Sequence, residues 1–213
     1  ELRYILDEAR TTLAGVPIEV TGAEVTVSGP DTVRTGESFT VRWSEAVNDR
    51  DIVAIVPMGA DQGELGTWSR VGGSRTETDL RAPAEPGLYE LRYILEEGLV
   101  TLGSTPIEVT VAEVTLTGPA TVPTGAEFAF GWSETINPVD IVAIVPMGAP
   151  EGELGTWART GETGTEAELR APAETGLYEL RYILEEGLVT LGSFPFEVTE
   201  VHVTVSGPAT VRT

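Results

Sequence analysis

A repeat of 89 residues runs through the whole chain and constrains its fold more than any other feature. The hexapeptide Glu-Leu-Arg-Tyr-Ile-Leu at 90–95 recurs at 179–184 and at 1–6, always 89 residues apart. Aligning 23–111 with 112–200 gives 63 identities in 89 positions. A fixed period of this kind indicates one structural unit repeated in tandem.

The phase of the repeat divides the chain into four segments. Residues 1–22 match the C-terminal strands of a preceding repeat, 23–111 and 112–200 are complete repeats, and 201–213 match the first strand of a following repeat. An isolated two-stranded hairpin at 1–22 would expose its apolar face and be marginal in water. We therefore expect a window of a longer array. The alternative is that other copies of the chain cover these strands in a strand-exchanged polymer.

Short runs rich in Val, Ile, Thr and aromatic residues alternate with Gly, Pro, Asn and Asp within each repeat, a pattern typical of a β-sandwich. In 37–44, the residues Phe39, Val41 and Trp43 alternate with polar ones, which predicts that they point inward. No segment predicts a helix. The first repeat is predicted to contain seven strands, at 24–28, 37–44, 51–57, 64–70, 75–81, 87–95 and 99–110.

Three further local patterns carry structural expectations. The segment 52–56 is apolar at every position, so both faces of its strand must be covered, by Trp68 or a neighbouring loop or by a lateral contact with another repeat. Gly98 is expected to adopt a positive φ in the hairpin turn at 96–98. Pro106 cannot donate to a sheet ladder and is expected at a bulge or edge.

A resemblance to a known family rests on Trp43 in the second strand and on Gly-Leu-Tyr-Glu-Leu-Arg-Tyr at 87–93. These motifs resemble fibronectin type III and related immunoglobulin-like domains. The run Asp-Ile-Val-Ala-Ile-Val-Pro-Met-Gly-Ala at 51–60 also resembles bacterial immunoglobulin-like repeats of large surface proteins, including von Willebrand factor A-domain proteins. The resemblance implies that Tyr89 and Tyr178 bond backbone at a corner, and that Trp43 and Trp132 fill the cores.

Nothing in the sequence predicts catalysis. The one histidine, His202, replaces the glutamates at the equivalent positions of both full repeats, so an array cannot depend on it. The acids at the hairpin tips, Glu96 and Glu97 in the first repeat, are expected to be exposed and similarly ionised, which does not suit a general acid and base pair. We predict that the protein is not an enzyme.

Calcium is the metal that the acidic composition suggests, because hard cations bind oxygen ligands. Acidic and amide side chains gather in the loop between the second and third strands of each repeat, and the candidate ligands are Glu45, Asn48 and Asp51 with their equivalents Glu134, Asn137 and Asp140. The competing interpretation is simple solvation of charge. No other cofactor is predicted.

Charge and composition restrict the partners. Lys and Arg number 13 against 34 Asp and Glu, a formal charge of −21, and the bases are scattered singly, so nucleic acid is excluded as a partner. No apolar run is long enough to insert into a membrane. Neighbouring repeats, and other copies of the chain, are the expected partners.

The sequence thus predicts an all-β protein of tandem immunoglobulin-like, seven-stranded sandwiches. Only a few residues join one repeat to the next, which favours a rod-like array. We expect an extracellular or cell-surface spacer array forming a stalk, fibre or filament. One alternative is an adhesion module that binds glycan or protein through loops, with Trp68 and Trp157 as contact residues; another is an accessory domain of a larger surface enzyme.

Overall fold

In the computed structural model, residues 1–7, 10–19, 21–161, 164–201, 204, 206 and 207 are described, and their regular structure is almost entirely β. The all-β sandwich prediction is confirmed. A hairpin of β1 (Leu2–Leu6) and β2 (Thr11–Val16) comes first, with its apolar side chains exposed. His202 and most of the segment 201–213 lie outside the described residues.

Two sheets form the first sandwich. A three-stranded sheet has the order β3-β5-β8 and a five-stranded sheet the order β4-β10-β9-β6-β7. The strands are β3 (Val27–Ser28), β4 (Thr32–Arg34), β5 (Ser38–Trp43), β6 (Ile52–Pro57), β7 (Thr67–Arg70), β8 (Glu77–Arg81), β9 (Gly87–Leu95) and β10 (Val100–Thr110), with a short 3-10 helix at Glu97–Leu99.

The second sandwich repeats this topology, with sheet orders β11-β13-β16 and β12-β18-β17-β14-β15. Its strands are β11 (Leu116–Thr117), β12 (Thr121–Pro123), β13 (Glu127–Trp132), β14 (Ile141–Pro146), β15 (Thr156–Arg159), β16 (Glu166–Arg170), β17 (Gly176–Leu184) and β18 (Val189–Thr199).

The alternation predicted for β5 is confirmed, because Phe39, Val41 and Trp43 are all buried between the two sheets. They pack in one cluster with Leu91 and Tyr93 of β9. Alternating apolar residues therefore form the core, and each repeat has a core of its own.

The first strand, predicted at 24–28, is shorter than expected, and β4, which was not predicted, follows it. Gly29 and Pro30 end β3, and the chain then crosses to the other sheet, where β4 pairs in parallel with β10. Each sandwich consequently has eight strand segments instead of seven. The sequence predicts the break after β3, at Gly29 and Pro30, but it does not predict that β4 pairs with β10.

The outer face of β6 is covered by a loop of its own repeat. Ile52, Ala54 and Val56 pack with Ala60 and Leu65, which lie in the connection between β6 and β7. A neighbouring loop thus buries the doubly apolar strand.

A buried arginine fastens this loop to the sheet. Arg92 on β9 donates to the carbonyl oxygens of Ala60 and Asp61 and pairs with the Glu90 carboxylate at 2.7 Å. Arg181 makes the equivalent contacts in the second repeat. Glu and Arg two residues apart on a strand lie on the same face, which is the signal that sequence analysis overlooked.

The expectations for Gly98 and Pro106 are both confirmed. Gly98 has φ +82°, and Leu99 after it is also left-handed at +50°. Pro106 faces Glu90 across the β9–β10 ladder, while β4 pairs with β10 only from Glu108 onward. The proline therefore sits at an open edge.

Candidate functional site

The loop predicted to bind calcium is organised around a buried carboxylate in each repeat. In the first repeat, Asp51 accepts hydrogen bonds from the Tyr93 hydroxyl at 2.8 Å and from the backbone N–H groups of Asn48 at 2.9 Å and Glu96 at 3.1 Å. The Tyr93 hydroxyl in turn accepts from the N–H of Val47. Burial raises the pKa of Tyr93 to about 12. Asp51 therefore holds the loop to the adjacent hairpin.

Asp140 does the same in the second repeat, where Tyr182 Oη, Asn137 N and Glu185 N donate to it at 2.8, 2.9 and 3.1 Å. Burial raises the pKa of Asp140 and, with the neighbouring carboxylate, that of Tyr182. The two tyrosines were not predicted to contact these loops.

These loops form one end of each sandwich, and the opposite end carries a second pair of loops. We define the upper face as 45–51 with 95–98 in the first repeat and 134–140 with 184–187 in the second, and the lower face as 34–37 with 82–85 in the first and 123–126 with 171–174 in the second.

The lower face of the first repeat contacts the upper face of the second, and polar side chains supply part of this junction. Arg34 forms a bidentate ion pair with Glu134, with nitrogen–oxygen distances of 2.7 and 3.0 Å, and also contacts Glu37 of its own repeat. The side-chain amide of Asn137 donates to the carbonyl oxygen of Gly36. Two of the predicted calcium ligands are thus engaged in contact between repeats.

Electrostatics favours this pairing. The Arg34 guanidinium lowers the pKa of Glu134, and Glu134 together with Glu37 raises the pKa of Arg34. Since Arg34 and Glu134 lie one hundred positions apart in different repeats, no local motif indicates that they meet.

Apolar packing closes the rest of the junction. Leu184 is 1% exposed and lies so close to Gly36 that a Cβ on this glycine would be 2.2 Å from its Cδ1. Ala84 of the first repeat packs against the core of the second. Ala112, in the connection between repeats, is fully buried and donates its N–H to Thr35 Oγ1 at 3.0 Å. Side chains, backbone and connection therefore all tie the two repeats together.

Nothing in the geometry tests calcium binding directly. Among the described residues, no group of three or more His, Asp or Glu side chains is placed to hold a metal ion. Glu45 and Asn48 on the first upper face are exposed. The calcium site at Glu45, Asn48 and Asp51, and at its equivalent, remains a prediction.

The aromatic residues singled out from the sequence fall into two groups. Trp43 and Trp132 lie in the cores, and the Tyr89 hydroxyl donates to the Glu85 carbonyl at 3.0 Å, as Tyr178 does to Glu174 at 3.3 Å. The remaining pair, Trp68 and Trp157, are 45% and 46% exposed on the β7 and β15 strands.

Comparisons with known proteins return structural likenesses alone. No family model and no curated protein matches the sequence. The FN1–FN3 domains of chicken CNTN1 are 13% identical with a TM-score of 0.30, covering 93% of this chain and 76% of that one. A two-domain fibronectin type III segment of chicken tenascin is 16% identical, with a TM-score of 0.31 and coverage of 83% and 97%.

The adhesin InvE of Yersinia pseudotuberculosis is 12% identical, with a TM-score of 0.33 and coverage of 82% and 58%. The chain is similar to fibronectin type III domains and to a bacterial adhesin. The fold that the sequence resemblance implies, an all-β sandwich, is confirmed by the strand order given above. In the described part of the chain, no helix is long and apolar enough to cross a membrane.

Proposed function

We propose that the chain is a spacer in an extracellular or cell-surface protein, in which successive sandwiches dock end to end and hold their neighbours in a defined orientation. The junction carries this proposal. A connection of a few residues would by itself limit the reorientation of one repeat relative to the next. That motion is further opposed by the Arg34–Glu134 ion pair, the Asn137–Gly36 hydrogen bond and the packing of the buried Leu184.

The distribution of sequence identity supports the same function. The 63 identical positions include core, hairpin and end-face residues, although Arg34 of the lower face is Pro123 in the second repeat. In such an array, stability is a sum of repeat terms and neighbour terms. The large net negative charge favours solubility of a long chain.

Residual dipolar couplings test the proposal on the intact chain. Docked repeats should report one common alignment tensor. A variant with a four-residue linker of Gly and Ser inserted between Val111 and Ala112 should report two different tensors. Independent tensors in the unmodified chain would rule out a spacer of defined orientation.

A second function, adhesion through the exposed tryptophans, is supported by the exposure of Trp68 and Trp157. The guanidinium carbon of Arg70 lies 5.9 Å from the centre of the Trp68 ring and partly covers one face of the indole. On a glycan array, specific binding should vanish in the double variant Trp68→Ala/Trp157→Ala while its circular dichroism is unchanged. Absence of specific binding by the unmodified chain would remove this candidate.

A further inference from the structure

An open groove of about 460 Å³ runs along the junction, and both repeats contribute to it. Its accessible apolar wall comes from the first repeat, through Pro57, Pro83 and Ala84. The second repeat closes it with Glu186 and the neighbouring glycine of the hairpin turn. The groove is therefore completed only where two repeats are docked.

The charges around the groove are of one sign. Glu64, Glu85 and Glu186 line it with their side chains exposed, and no Lys, Arg or His is among the described residues that line it. The whole chain carries a formal charge of −21. A cation entering this groove meets attraction on several sides and no competing base.

The arrangement of the carboxylates around an apolar wall indicates which kind of cation fits the groove. The three carboxylates belong to no metal-binding group among the described residues, so they do not converge on a single ion. An apolar wall with acids around it suits a long side chain whose methylene stem packs on carbon while its charged head reaches a carboxylate. Lysine and arginine have this construction, and arginine can also bind a carboxylate with two parallel hydrogen bonds.

We propose that the junction groove binds a basic, extended segment of a partner protein, with an arginine or lysine stem lying along Pro57, Pro83 and Ala84. This inference depends on the docked junction of the proposed spacer, but it adds a binding role that the spacer function does not require.

A longer array of these repeats would contain the groove more than once. The groove acids Glu64 and Glu85 have identical equivalents in Glu153 and Glu174, and Glu186 has one in Glu97. Every further junction built from the same residues would present another groove, one repeat length away. A partner with several basic segments would then bind with an avidity above the affinity of one groove.

The test uses the intact chain and the fluorescence anisotropy of a fluorescein-labelled hexa-arginine peptide. The groove variant is Glu64→Gln/Glu85→Gln. Its matched control is Glu153→Gln/Glu174→Gln, which removes the same charge from the same local sequence, where the described residues place no following repeat. We expect the Kd to rise at least tenfold in the groove variant and less than twofold in the control.

Two further arms separate the alternatives. Glu186→Gln should weaken binding although it lies in the other repeat, and a hexapeptide of diaminopropionic acid, with equal charge but almost no stem, should bind more weakly than hexa-arginine. Equal losses in the groove variant and its control would reduce the effect to net charge and overturn the proposal. No saturable binding by the unmodified chain would do the same.

Dipolar couplings measured on the same samples keep this inference distinct from the spacer function. A common tensor with no saturable peptide binding overturns the groove alone. Independent tensors overturn the docked junction, and with it both proposals.

Discussion

The upper faces of the two repeats have nearly the same residues but different environments. Asn137 and Leu184 in the second repeat are buried against the first, whereas their equivalents Asn48 and Leu95 are exposed and half-buried. The lower faces mirror this difference, since Gly36 is buried and its equivalent Gly125 is exposed. Burial at these positions is therefore set by the neighbouring repeat, and the chain carries an identical unpaired residue as a control for Asn137, Leu184 and Gly36.

The largest difference is expected for the leucines. Leu184→Ala should lower the free energy of unfolding of the second repeat by about 3 kcal/mol, because it leaves a cavity beside Gly36 in a closed site. Leu95→Ala should cost the first repeat about 1 kcal/mol, as the side chain is half-buried. Urea denaturation followed by circular dichroism measures both. Equal costs would mean that the junction is not packed.

Glycine substitutions on the two lower faces test the same packing from the opposite side of the junction. Gly36→Ala and Gly125→Ala both place a side chain at positive φ, +73° and +67°, each costing about 1 kcal/mol. Only the first also displaces Leu184, which should add about 1–2 kcal/mol. Calorimetry should therefore show a larger drop in Tm for Gly36→Ala, and identical drops would contradict the contact.

Asparagine supplies a polar version of this test. Asn137→Ala removes the donor to the buried Gly36 carbonyl and should cost about 1–2 kcal/mol. Asn48→Ala, at an exposed position, should change stability by less than about 0.5 kcal/mol. Faster hydrogen exchange around Gly36 in the Asn137 variant alone would locate the effect.

A difference between the two core tryptophans predicts a stabilising change. Trp132 Nε1 donates to Thr135 Oγ1 at 2.9 Å, whereas the buried Trp43 Nε1 has no partner among the described residues, because the equivalent position is Ala46. Ala46→Thr should raise the stability of the first repeat by about 1 kcal/mol, and Thr135→Ala should lower that of the second by a similar amount. Chemical denaturation measures both, and loss of stability in the first variant would refute the explanation.

The smallest effect belongs to the ion pair, whose side chains are about two-fifths exposed. Glu134→Gln should cost about 0.5 kcal/mol and Glu45→Gln nothing measurable, and the difference should shrink in high salt.

Because Arg34 lowers the pKa of Glu134, the contribution of the pair is fully present above the unfolded carboxylate pKa of about 4.3 and is lost as pH falls through the lower folded value. A pH titration of stability checks this sign. A cost for Glu134→Gln that is unchanged at pH 3 would exclude the carboxylate as its source.

The sequence predicts well whatever depends on local pattern. Alternation in β5, the proline at an open edge and the positive φ of Gly98 all follow from neighbouring residues. The additional strand β4 was missed because its partner β10 lies more than seventy residues away. The Arg34–Glu134 contact was missed for the same reason, since the residues belong to different repeats.

The parallel pairing of β4 with β10 gives the repeat a mechanical character. β4 lies near the N-terminal end of the sandwich and β10 at its C-terminal end, and three residue pairs join them side by side. Tension applied along the chain pulls these strands past each other in opposite directions, so the ladder is loaded in shear and its hydrogen bonds must break together. A chain of such repeats held under tension would resist extension through this short contact.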